Sequence, residues 1–130
     1  MGERLDPAGD RGGGGEVTSY ESFGEWFELA AAATSAPAAA GVFQVRLQQG
    51  LADYPDGRSA MLYYGRAADL SAGIAAFRAR VVPTLEQDET ALWVRWLAVD
   101  APDLRLRQLF ARFEARFGSL PFANAAAARG

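Results

Sequence analysis

The spacing of apolar residues changes period several times along the chain, and each change marks an element. From residue 18, Phe23, Trp26, Phe27 and Ala30 recur at i, i+3, i+4 and i+7. That is the spacing of one helical face, so a helix is predicted over 18–34. Thr18 or Ser19 can cap its first turn, Glu21 and Glu25 suit the positive end of its dipole, and Pro37 follows its end. Its aromatics would cover the edge of a sheet. After Gly41 the period shortens to two: Phe43, Val45 and Leu47 alternate with Val42, Gln44 and Arg46, the pattern of a half-buried strand. Tyr54-Pro55-Asp56-Gly57 is a turn signal, because proline presets its own φ and glycine permits a positive one, so residues 48–59 read as a long hairpin loop. Met61 and Tyr63 then alternate with Leu62 and Tyr64 up to Gly65, giving a second strand.

The helical period returns after Asp69, which can cap a helix carrying Leu70, Ile74, Phe77 and Val81 on one face until Pro83 ends it. Residues 84–90 are acidic and loop-like. In residues 91–99, Leu92, Val94, Trp96 and Ala98 alternate with Trp93, Arg95, Leu97 and Val99. Apolar groups on both sides predict a strand in the middle of its sheet. Asp100 or Asp103 should cap a last helix whose Leu106, Leu109, Phe110, Phe113 and Phe117 form one apolar face, and Gly118 should stop it. Residues 1–17, with glycine from Gly12 to Gly15, predict a disordered tail, and residues 125–130 a frayed end. The expectation is one α+β domain over 18–124, a small three-stranded sheet flanked by helices with an extra N-terminal helix.

Composition narrows the chemistry. At 130 residues and 13.9 kDa the chain has room for one domain. It has no cysteine and no histidine, which removes thiol nucleophiles, disulfides, the usual zinc sites and imidazole acid–base catalysis. All 13 basic residues are arginine, so Schiff-base lysines and a P-loop lysine are also excluded. Arginine in place of lysine, with abundant alanine, fits a GC-rich bacterial genome. No apolar run approaches the roughly 20 residues that cross a bilayer, and the polar, glycine-rich start predicts no secretory leader. A soluble, cytoplasmic protein without membrane contact is expected.

The formal charge is −3 and the sequence pI about 4.9, which does not advertise a nucleic-acid partner. The charge is uneven, however. Residues 58–80 hold Arg58, Arg66, Arg78 and Arg80 against Asp69, leaving room for a local basic face.

In this order of elements the chain resembles the GIY-YIG endonuclease family. Gly41-Val42-Phe43 stands where the first tripeptide belongs. Leu62-Tyr63-Tyr64-Gly65-Arg66-Ala67-Ala68-Asp69-Leu70 matches the second tripeptide and its following Asp-Leu, and Pro121-Phe122-Ala123-Asn124 matches the closing pattern. The resemblance spans about residues 41–124 and implies hydrolysis of phosphodiester bonds with one divalent metal, Mg²⁺ or Mn²⁺. In that chemistry a tyrosine activates water or positions phosphate, an arginine stabilises phosphate charge, and a glutamate holds the metal.

Carried over by position, the second tyrosine and the closing asparagine are kept as Tyr63 and Asn124. The first tyrosine is Phe43, the arginine ten residues after Tyr63 is Gly73, and the glutamate nine residues before Pro121 is Arg112. A glycine cannot donate to a phosphate, and an arginine puts a cation where a dication should sit. The resemblance therefore implies a catalytically degenerate nuclease-like domain with no cofactor, binding nucleic acid or a protein partner. Phe43, Tyr63, Arg66, Gly73, Arg112 and Asn124 are its candidate site, and Tyr63 is the remaining catalytic candidate. The alternative is an active metal-dependent endonuclease with relocated residues, drawing on Tyr63, Arg66 and a carboxylate from elsewhere.

Each candidate also has a structural reading. Tyr63 can be a half-buried strand aromatic, Gly65 can serve a tight passage from strand to helix, Gly73 can reflect close packing, and Asn124 can tie down the chain's end. Arg105, Arg112 and Arg116 share one stripe of the last helix, as a solvated flank or a binding surface.

Overall fold

A computed structural model describes residues 23–129. The expected tail over 1–17, the start of the first helix and residue 130 lie outside the described residues. The elements in order are β1 (Phe27–Glu28), α1 (Leu29–Ser35), β2 (Gly41–Leu47), β3 (Ala52–Tyr54), β4 (Gly57–Ser59), β5 (Met61–Ala67), α2 (Leu70–Arg80), β6 (Leu92–Ala98), α3 (Pro102–Phe117) and α4 (Phe122–Arg129). Single 3₁₀ turns at Val82–Thr84 and Glu89–Ala91 join α2 to β6.

The class is α+β, as the pattern implied, but the main sheet has four strands instead of three, in the order β1-β6-β2-β5, with every pairing antiparallel. The added strand comes from the segment predicted to be helical. Phe27 pairs with Val94 and Glu28 with Trp93, Gly24 N–H donates to Trp96 O at 3.3 Å, and the Phe27 ring stacks on Trp96 with centroids 5.0 Å apart. Only Leu29–Ser35 is helical. The free edge of β6 carries backbone groups that need partners, and pairing with it overrides a weak helical preference in a stretch of aromatics and glycine. β6 thereby has neighbours on both sides, the central position its two apolar faces required.

Other boundaries follow expectation with local corrections. Asp69 caps α2 by accepting from Ala72 N–H at 3.0 Å. Neither Asp100 nor Asp103 caps α3. Ala101 occupies that position, and Pro102 opens the helix, where its missing N–H costs nothing. Gly118 closes α3 in the left-handed conformation at φ 85°. The expected loop over 48–59 contains a small hairpin, β3–β4, turned by Pro55-Asp56 and tied to α3 by Asp56 N–H donating to Phe117 O. Residues 125–129, expected to fray, continue α4.

The sheet separates two cores. Over one face, α1 and α2 bury Leu29, Ala32, Leu70, Ile74 and Phe77 against Phe43, Val45, Leu92 and Val94. A bulge in β5, where Val45 faces Tyr63 but Arg46 faces Met61, adds Leu62 to the same side as Tyr63. Over the other face, α3 sets Leu109 and Phe113 on Val42 and Tyr64. No helix among the described residues is long and apolar enough to cross a membrane.

Candidate functional site

The sequence-predicted residues do not converge. Phe43 is only 2% exposed and packs among Tyr63 and Phe77 in the α1/α2 core. Tyr63 is half-buried there, its ring 4.6 Å from Phe77. Burial pushes its hydroxyl above the usual tyrosine range, with Arg66 pulling the other way. That direction opposes a role in activating water, which a more acidic phenol would serve better. The neighbouring Tyr64 points to the opposite face, towards Phe110 and Phe113 of α3. Arg66 also turns to that side, where it pairs with Asp103 at 2.9 Å, both side chains well exposed. Arg112 is exposed on α3. Tyr63 and Arg112 thus belong to layers separated by the sheet.

The two glycines are packing residues. A Cβ at Gly73 would stand 2.5 Å from the Cβ of Ala67, so α2 crosses the end of β5 too closely for any side chain there. A Cβ at Gly65 would strike the Phe43 ring, so this glycine clears an aromatic ring and does not serve a tight turn. Asn124 is structural too: its Oδ1 accepts from Tyr64 N–H and its Nδ2 donates to Tyr64 O, both at 2.9 Å. Its carboxamide completes backbone pairing on the open side of β5, an edge strand, and fastens α4 there.

The residues that would surround a divalent metal do not fit one, since the expected carboxylate is Arg112 and its supposed companion Tyr63 lies across the sheet. Among the described residues no group of three or more His, Cys, Asp or Glu side chains is arranged to hold a metal ion.

A different cluster, absent from the sequence reading, occupies the α3 side of the sheet over β2 and β6. Cross-strand pairing sets Gln44 opposite Arg95 and Arg46 opposite Trp93. Gln44, 4% exposed, accepts from Arg95 Nε at 2.7 Å through Oε1. The Arg95 guanidinium lies 4.3 Å from the Trp26 ring centre and 5.0 Å from that of Phe23; Arg46 lies 4.8 Å from Trp26 and 5.2 Å from Trp93. Trp26 therefore serves both cations. Burial, then the nearby Arg46 charge, push Arg95 down to about 10, and Tyr64 opposes them. At about 10, the Arg95 guanidinium remains charged at neutral pH. Among the described residues, Arg46 Nε and Gln48 Nε2 are buried with no hydrogen-bond partner.

Period-two alternation already placed Gln44 and Arg46 on one face and Trp93 and Arg95 on another strand. Only the register brings them together.

The fold and these contacts define an α+β domain with a cationic, aromatic sheet face. No protein-family model, curated protein or solved structure matches the chain.

Proposed function

We propose that the chain is a catalytically degenerate GIY-YIG nuclease-like domain acting as a binding module for nucleic acid or a protein partner. The motifs from Gly41 to Phe43, Leu62 to Leu70 and Pro121 to Asn124 support the ancestry. The loss of catalysis rests above all on one observation: the position of the phosphate-binding arginine is a glycine whose helix face is closed by Ala67. Removing a single donor that stabilises transition-state charge costs about 2.7–4 kcal/mol in barrier height, and here the metal carboxylate is replaced as well. Relocated catalysis through Tyr63 and Arg66 has no support in their placement, because the two side chains leave β5 towards different layers.

The test is incubation of the purified chain with Mg²⁺ or Mn²⁺ and single- or double-stranded DNA and RNA. The expected result is no cleavage above the level of Tyr63→Phe. Metal-dependent cutting that disappears in Tyr63→Phe would overturn the proposal. Binding measured over a range of salt then separates the partner classes, since phosphate contacts release counterions and give a steep dependence.

A further inference from the structure

We propose that Arg46 and Arg95, held with Gln44, Gln48, Trp26 and Trp93 on the α3 side of the sheet, form a binding site for a phosphate group. The inference rests on the binding-module reading for its biological setting, but its geometry is independent of the nuclease ancestry.

Three observations carry it. The two guanidiniums share one indole, and neither takes part in the ion pairs found among the described residues, which join Arg58 to Asp53, Arg66 to Asp103 and Arg78 to Glu89. Like charges held together and partly removed from water oppose folding unless an anion offsets them. The second observation is the pair of unpartnered buried donors, Arg46 Nε and Gln48 Nε2. They stand two residues apart on β2 and its continuation, hence on one face. Buried donors are nearly always satisfied in folded proteins, so two orphans beside two cations mark a place for acceptor oxygens. The third is preorganisation. Gln44 fixes Arg95 through Nε, while the indoles brace both planar groups.

A simple structural staple would account for the ring contacts but not for the orphan donors. The charge match favours phosphate over a carboxylate. Two guanidinium charges and two neutral amides suit a group that carries about −1.5 to −2 as a monoester and presents several acceptor oxygens. The phosphate could belong to a small monoester or to a single-stranded nucleic-acid backbone.

The full chain, labelled with ¹⁵N, would be titrated at constant ionic strength in a phosphate-free buffer with inorganic phosphate, and separately with a short single-stranded oligothymidylate. The Nε–H signals of Arg46 and Arg95 and the indole N–H signals of Trp26 and Trp93 are the readout, and they need no variant. Saturable shifts confined to these groups are expected by about 20 mM phosphate, well above a millimolar Kd. Arg46→Gln and Arg95→Gln should each weaken binding at least tenfold, with Arg80→Gln unchanged. Arg46→Lys, which keeps the charge, tests the fork geometry if Arg46→Gln does not fold.

Tighter binding of the oligonucleotide with a steep salt dependence assigns the phosphate to a nucleic-acid backbone. Binding of inorganic phosphate alone assigns it to a small ligand. No saturable shift with either probe, or equal shifts at all exposed arginines, would overturn the site. Cleavage activity would defeat the degenerate-nuclease reading without touching this one, and absent phosphate binding would do the reverse.

Discussion

Substituting Gly73 by alanine separates two opposing effects of known sign. In an ordinary helix the change stabilises by about 1 kcal/mol, because glycine loses more backbone freedom on folding. At this position the new Cβ would lie 2.5 Å from the Ala67 Cβ. Carbon atoms prefer about 3.5–4.0 Å, so α2 or the end of β5 must shift by roughly 1 Å or more. Overpacking of this kind costs about 1–3 kcal/mol, which outweighs the helical gain and leaves Gly73→Ala less stable by about 1 kcal/mol. Ala67→Gly alone should cost about 0.5–1 kcal/mol as a strand glycine. In the double variant the collision is gone and the helical gain returns, so it should exceed the sum of the single effects by about 1–3 kcal/mol.

Urea unfolding followed by circular dichroism measures all four proteins, with an unchanged slope certifying that the transitions are comparable. A Gly73→Ala protein that is more stable than the parent, with additive behaviour in the double variant, would refute the close approach of α2 to β5. It would also remove the main support for a closed arginine position. Gly73→Arg carries the same Cβ, so placing there the arginine that the proposed ancestry calls for should destabilise the domain and build no nuclease.

Asn124→Ala removes both hydrogen bonds to Tyr64 and should cost about 1–3 kcal/mol in urea unfolding, with faster exchange of the Tyr64 amide; an unchanged midpoint would deny the edge its clamp. Phe113→Ala empties a 4% exposed position beside Tyr54, Tyr64 and Phe117 and should cost about 3–5 kcal/mol. Burial first of all raises the Tyr64 hydroxyl from 10.0 to about 12. Its contribution to stability is therefore complete below pH 10 and lost as the pH rises to about 12. Arg95, lowered over the same range, acts with the opposite sign. The clean measurement is phenolate absorbance in the parent against Tyr64→Phe, where the missing step should lie near pH 12 and not near 10.

Much of the domain is legible in its residue pattern. The caps at Asp69 and Gly118, the two-sided apolar run of β6 and the amphipathic face of α3 are local consequences of side-chain chemistry and period, so they survive folding unchanged. The segment 23–28 is different. Its aromatics satisfy a helical spacing, yet an unpaired strand edge accepts them more favourably, and only the assembled sheet supplies that edge. The candidate site divides in the same way. That a glycine, Gly73, and an arginine, Arg112, stand where the resemblance expects an arginine and a glutamate is visible in the letters alone, because the identity of a functional group needs no geometry.

Three-dimensional proximity had to decide the rest. It places Ala67 against Gly73, turns Asn124 onto the backbone of Tyr64 and sends Tyr63 and Arg112 to opposite sides of the sheet. It also joins Trp26, Arg46 and Arg95, residues far apart in the chain, into one cationic cluster. Strand register sets those distances, and register is a property of the whole sheet, settled by which cross-strand pairs bury well together.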